Sequence, residues 1–238
     1  MAKWLLALLL LAPIRAHALF DAAIVGGGTD PTKVAKSGDT MTGNLSLSAS
    51  TLTVNGPIFS TGTAGSIPFS GLGTRFMWIP DKAAIRAGGV FSHTADLDNA
   101  NVGTQSVGFG ADSMAFGSNA VVSGGYVNTA KTDYCTVGGG LFNTADGIYS
   151  TVGGGSHNTT GAGGQVAIAG GQYNVGGGNN AAIGGGNGNV ASGADSTISG
   201  GISNAATGID STVCGGNTNS SGGDFSYTCG RRAKATAQ

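Results

Sequence analysis

Thr136-Val137-Gly138-Gly139-Gly140-Leu141-Phe142-Asn143-Thr144-Ala145-Asp146-Gly147-Ile148-Tyr149-Ser150 runs directly into Thr151-Val152-Gly153-Gly154-Gly155-Ser156-His157-Asn158-Thr159. Offset by 15 residues, the two stretches agree at Thr, Val, three glycines, Asn and Thr. The agreement extends both ways. A β-branched residue stands before each glycine cluster at Val122, Val137, Val152, Ile168, Ile183, Ile198 and Val213, with Thr228 as a polar eighth member; the intervals are 15, 15, 16, 15, 15, 15 and 15. Six residues after each of the first seven comes Asn128, Asn143, Asn158, Asn174, Asn189, Asn204 or Asn219. Ten residues after, glycine recurs at Gly147, Gly178, Gly193, Gly208 and Gly223. The residue after each anchor is small: Ser123, Gly138, Gly153, Ala169, Gly184, Ser199, Cys214 and Cys229. Several columns held in register over eight units mark a solenoid.

One unit of about 15 residues divides into two short strands and two turns. Ser150-Thr151-Val152-Gly153 is a short alternating strand, and Asn with Gly supplies the left-handed backbone of tight turns. A single unit buries nothing. Stacked units pair with the coils above and below, about 4.8 Å apart, so eight coils make a rod roughly 40 Å long. The expectation is an all-β, single-chain parallel β-roll. The small column fits a narrow interior. The Val/Ile column has two possible fates, the coil's own core or a face toward other chains. A thin lumen buries little, which favours a homotrimer.

Ser106-Val107-Gly108-Phe109-Gly110 and Ser113-Met114-Ala115-Phe116-Gly117 resemble the S-x-A-x-G half-repeat of trimeric autotransporter adhesin heads. Asn189-Val190-Ala191-Ser192-Gly193 and Asn143-Thr144-Ala145-Asp146-Gly147 resemble its N-x-A-x-G partner. The likeness covers roughly Asn101 to Ala235. It implies a left-handed parallel β-roll of three chains around one axis, on surface adhesins or phage-type fibres. No C-terminal membrane barrel or coiled-coil stalk accompanies it, so self-translocation and membrane anchoring are not implied.

The N-terminus sets the compartment. Lys3, the apolar run Trp4 to Ala12 and Ala16-His17-Ala18 form a secretory signal peptide over 1–18, cleaved after Ala18. The run is about half the roughly 20 residues that span a bilayer. No later stretch is long enough, so the mature chain is expected outside the cell or at its surface, without a membrane-spanning segment. Residues 19–36 read as a linker. Ser37-Gly38-Asp39-Thr40-Met41-Thr42-Gly43-Asn44-Leu45 resembles a phage tail-fibre motif and opens a β segment over 37–60. Residues 61–100 hold the patch richest in side chains, with Arg75, Trp78, Asp81, Lys82 and Arg86, and read as a β cap on the first coil rather than a binding patch. The solenoid spans 101–235 and a tail 236–238.

Composition narrows the chemistry. Net charge is −1, charged residues are 10%, glycine numbers 46 of 238, and there is no glutamate. No lysine or arginine lies between Cys135 and Gly230. Without a basic stripe, nucleic acid is not expected as a partner. His93 and His157 lack ligand-spaced companions, and no metal or other cofactor is expected. Asp146, Asp195, Asp210 and Asp224 fall in inconsistent columns, unlike calcium solenoids. Gly186-x-Gly188-x-x-Ala191 opens no helix and belongs to the repeat. A polysaccharide-cleaving spike needs facing carboxylates, which are sparse here, so no enzyme is expected. Thr136, Thr151, Thr197 and Thr212 share a column, but Ala167, Ala182 and Tyr227 interrupt it, against an ice-binding rank. Cys214 and Cys229 share a column one coil apart and read equally as a disulfide or as two small thiols; Cys135 stands apart and is expected free. The expected function is attachment by an exported trimeric fibre head to a host-surface, matrix or glycan ligand. The alternatives are a passive appendage or coat component and, further off, the polysaccharide-degrading spike.

Overall fold

The structure, a computed structural model, describes residues 72–91 and 101–236. The signal peptide, its cleavage site, the linker, the tail-fibre-like segment and the ends of the cap region lie outside the described residues.

The chain is all-β, a parallel β-solenoid of about nine turns of roughly fifteen residues. Among the described residues, helix is confined to short 3-10 turns such as Pro80–Lys82. An 11-stranded sheet runs along one side and a 9-stranded sheet along another. In the first, β1 (Gly73–Ile79) and β2 (Ala84–Val90) form an antiparallel hairpin, and β3 (Val107–Phe109) pairs with β2 in parallel. From there the sheet adds one strand per coil, Val121–Val122, Thr136–Val137, Thr151–Val152 and onward to Tyr227–Arg231. The second sheet stacks Met114–Ala115, Thr129–Ala130, Thr144–Ala145 and their equivalents to Lys234–Ala235. A third line of parallel bridges joins Ala111, Tyr126, Leu141, Ser156, Gln172, Asn187, Ile202 and Asn217.

Register follows the repeat. Val137 pairs with Val152, Val152 with Ile168, and Ile168 with Ile183. The 16-residue interval is absorbed outside the strands, so the columns stay aligned across it. Four columns point inward. The first is Val122, Val137, Val152, Ile168, Ile183, Ile198 and Val213, at most 1% exposed within the single chain. Two residues earlier lie Ala120, Cys135, Ser150, Val166, Ala181, Ser196 and Ser211, equally buried. The asparagines form the third. The fourth is Ala130, Ala145, Thr160, Gly176, Ala191, Ala206 and Ser221. Each buried Val or Ile contributes about 2 kcal/mol of transfer free energy. The Val/Ile column thus fills its own coil, and no second chain is needed to bury it.

Two expectations are corrected here. The small column after each anchor does not line the lumen. Ser123, Gly138, Gly153, Ala169, Gly184, Ser199 and Cys229 are exposed, and Cys214 is half-buried. A Cβ on Gly138 would crowd the carbonyl oxygen of Gly153 one coil on, so close coil-to-coil approach, not a tight interior, accounts for small residues there. The asparagines, in turn, do not occupy the left-handed corner. The residue before each one does, from Val127 (φ 53°) and Phe142 (φ 56°) to Thr218 (φ 57°). The asparagine side chains point inward and bond coil to coil. Asn143 donates from Nδ2 to Gly139 O at 2.9 Å within its coil and to Gly155 O at 2.9 Å in the next. Its Oδ1 accepts the backbone N–H of Asn158 at 3.0 Å and the Asn158 side-chain amide at 3.2 Å. The pattern repeats through Asn219 and leaves these buried amides satisfied.

Candidate interaction surface

The N-terminal hairpin closes the first coil with a charge. Arg86 is 2% exposed and occupies the row of the Val/Ile column: it pairs with Gly108, which pairs with Val122. Gly108 leaves room for the arginine stem, since a Cβ there would meet Arg86 Cδ at 2.9 Å. The guanidinium donates to Ile85 O at 2.8 Å, Ser106 O at 3.1 Å, Ser106 Oγ at 2.7 Å and Ala115 O at 2.7 Å. Burial lowers its pKa well below the usual arginine value, to about 10. Trp78 is half-buried, and its indole N–H is buried with no hydrogen-bond partner. Phe76 on the same strand is the exposed aromatic, at 73%. A recess beside the hairpin is lined by Arg75, Arg86, Asp112 and Ser113. Its polar groups are engaged with the fold: Asp112 Oδ1 accepts the Phe91 N–H at 2.7 Å.

The outward chemistry sits on two corners where non-glycine residues adopt the left-handed backbone. One corner carries Asn119, Tyr134, Tyr149, Gln165, Asn180, Asp195, Asp210 and Phe225. The other carries Val127, Phe142, His157, Tyr173, Gly188, Ser203, Thr218 and Arg232. Such a conformation costs of order 1 kcal/mol or more per residue and persists where the surroundings impose it. Here the corner N–H groups bond to the previous coil. Phe142 N donates to Tyr126 O at 3.0 Å, His157 N to Leu141 O at 2.9 Å, and Tyr173 N to Ser156 O at 3.0 Å.

The corner rings then meet along the solenoid. Tyr134 and Tyr149 stack with centroids 4.8 Å apart and planes 17° off parallel. On the other corner a ladder runs from Phe142 to His157 (5.0 Å) and to Tyr173 (4.9 Å), and Tyr126, from the adjacent bridge column, meets Phe142 edge-on at 5.7 Å. The 15- and 16-residue spacing of Phe142, His157 and Tyr173 is present in the sequence, one place ahead of the asparagines. It goes unnoticed until those asparagines are known to face inward.

Cys214 and Cys229 are joined as a disulfide across adjacent coils, with Cα atoms 5.3 Å apart. Cys135 is free and buried, and its thiol donates to Gly147 O at 2.9 Å. Lys131 and Asp146 form a surface ion pair at 2.7 Å. Among the described residues no three of His, Cys, Asp and Glu gather at metal-binding distance, and no helix is long and apolar enough to cross a membrane.

No family model matches the chain, and no curated protein matches it in sequence. The likeness to adhesin heads therefore rests on the half-repeat residues themselves.

Proposed function

We propose that this protein is the exported head of a homotrimeric surface fibre, which attaches by shallow contacts repeated along a rigid β-solenoid. The observation that carries this reading is the outward rank of Tyr126, Phe142, His157 and Tyr173. Tyr126, Phe142 and Tyr173 are 41–51% exposed, and Phe142, His157 and Tyr173 sit on left-handed backbone bonded to the previous coil. Aromatic side chains offer much contact area at low conformational cost. In this reading the trimer multiplies weak contacts into avidity rather than burying the Val/Ile column. Export follows from the signal-peptide pattern over 1–18, and the role is binding rather than catalysis.

A passive appendage is the second reading. Ring-on-ring stacking favours it, because the same contacts stiffen a rod. Light scattering of the purified mature chain, with binding assays on host cells, matrix proteins and immobilised glycans, separates the two. A trimer that binds one of these surfaces supports the attachment reading. A monomer overturns the trimer, and trimers that bind none of them leave the appendage.

A further inference from the structure

The ring ladder stops at a defined place. Tyr173 has His157 against one face, and the next residue of that corner is Gly188. No ring continues the stack, and Tyr173 is 51% exposed. Beyond the gap stands Ser203, whose Oγ lies 3.7 Å from where a Cβ on Gly188 would be. Alongside, in the neighbouring column, Asn187 and Gln172 are exposed and joined amide to amide at 3.1 Å. The Tyr134–Tyr149 stack ends differently: its next position is Gln165, which has a long side chain to place there.

The notch therefore has an open aromatic face as one wall, a hydroxyl as the other and two neutral amides at its side. It also lies within the span from Cys135 to Gly230 that holds no lysine or arginine. Asp195 and Asp210 lie on the opposite corner. A flat ring with uncharged donors and acceptors suits a ligand that has one apolar face and a rim of hydroxyls. We infer that Tyr173, Gly188, Ser203, Gln172 and Asn187 form a binding site for an uncharged pyranose. The C–H face of the sugar lies on the Tyr173 ring over Gly188, and its hydroxyls exchange hydrogen bonds with the Asn187 and Gln172 amides. Gly188 is the residue that makes the site, because a ring at that corner would continue the ladder and fill it. This inference rests on the attachment reading and names the ligand class.

The test uses the full chain on an array of immobilised oligosaccharides. It carries termini of galactose, glucose and N-acetylglucosamine beside sialylated and sulfated counterparts. Gly188→Tyr extends the ladder at a φ of +65°, close to the 56° at which Tyr173 already sits, so the fold accommodates it. Gly188→Ser copies Ser203 and serves as the mild control, and Tyr173→Ala removes the platform. Unchanged melting of Gly188→Tyr shows that folding is intact. The expected result is binding to neutral sugars by the wild type, reduced about tenfold or more in Gly188→Tyr and Tyr173→Ala. Neutral-sugar binding unaffected by either substitution overturns the site but keeps the attachment reading. So does attachment to cells with no neutral sugar bound, or with only charged sugars bound. Absence of binding to cells, matrix and sugars alike overturns both.

Discussion

Val166 fills the space in the lumen that a side chain on Gly176 would occupy; a Cβ built on Gly176 would collide with Val166 Cγ1. Both belong to the coil that follows the 16-residue interval. The other members of Val166's column are Ala, Cys or Ser, and those facing them are Ala, Thr or Ser. Total volume is conserved across the lumen by exchanging a large residue on one side for none on the other.

That pair should couple. Gly176→Ala alone overpacks the lumen and costs about 1–3 kcal/mol. Val166→Ala alone leaves a cavity and costs about 1–2 kcal/mol. The double substitution recreates the Ala181 and Ala191 pairing of the next coil and should cost less than the sum. A double-mutant cycle by chemical denaturation measures the difference, and strict additivity would contradict the packing.

The asparagine ladder should tolerate little. Asn158→Ala removes the Nδ2 bonds to Gly154 O (2.9 Å) and Gly171 O (2.8 Å) and the acceptor for the Asn174 N–H (3.0 Å). The expected loss is about 3 kcal/mol, since the orphaned groups remain buried. Asn187→Ala, which breaks an exposed side-chain bond to Gln172 Oε1, should change stability by about 0.5 kcal/mol or less. Comparable losses for the two would refute a special role for the buried row.

Much of this frame is legible in the sequence, and the failures are physical. The spacing of Val137, Val152, Ile168 and Ile183 is enough to place them in one ladder. Spacing is silent on direction, however, because period alone does not tell inside from outside. Gly138 and its column are therefore misassigned to the lumen. Asn beside Gly is a turn signal locally; only the stacked coil turns Asn143 into a buried donor. Arg86 extends the anchor column across a gap with no fixed repeat length, so no alignment of coils reaches it. The sugar notch depends on the absence of a ring at Gly188, which has meaning only beside Tyr173.

Arg86→Met should open the first coil. It leaves Ser106 O and Ala115 O without that donor and should raise amide exchange in β2 and β3 while sparing coils beyond Val137, as expected where coils contact only neighbours. Because burial lowers the arginine's pKa to about 10, the unfolded chain holds the proton more tightly in a window that opens near pH 10 and ends at the ordinary arginine value. Stability from this group therefore rises only as pH climbs through that window, and is flat below it. The difference in melting temperature between wild type and Arg86→Met should not change from pH 5 to about 9; a slope there would contradict the assignment.

Reduction should act on one end. The Cys214–Cys229 bond clamps the last described coil, whose interior positions are Ser221, Ser226 and Thr228, so apolar burial holds that coil less firmly than its predecessors. Removing a cross-link around a loop of this size costs about 3 kcal/mol at most. Adding a reductant, or Cys229→Ser, should speed amide exchange over Tyr227–Arg231 and Lys234–Ala235 and leave Thr151–Val152 unchanged. Uniform acceleration along the chain would rule out a local clamp.

The left-handed corners separate what the protein presents from what keeps it folded. At one geometric position, repeated coil after coil, the chain carries Val127, Phe142, His157, Tyr173, Gly188, Ser203, Thr218 and Arg232, while the lumen behind them scarcely varies. Changing the vocabulary of the corner asks nothing new of the backbone. Single-codon drift at such sites can rewrite the outer face of the rod one letter at a time, and the scaffold beneath does not register the edit.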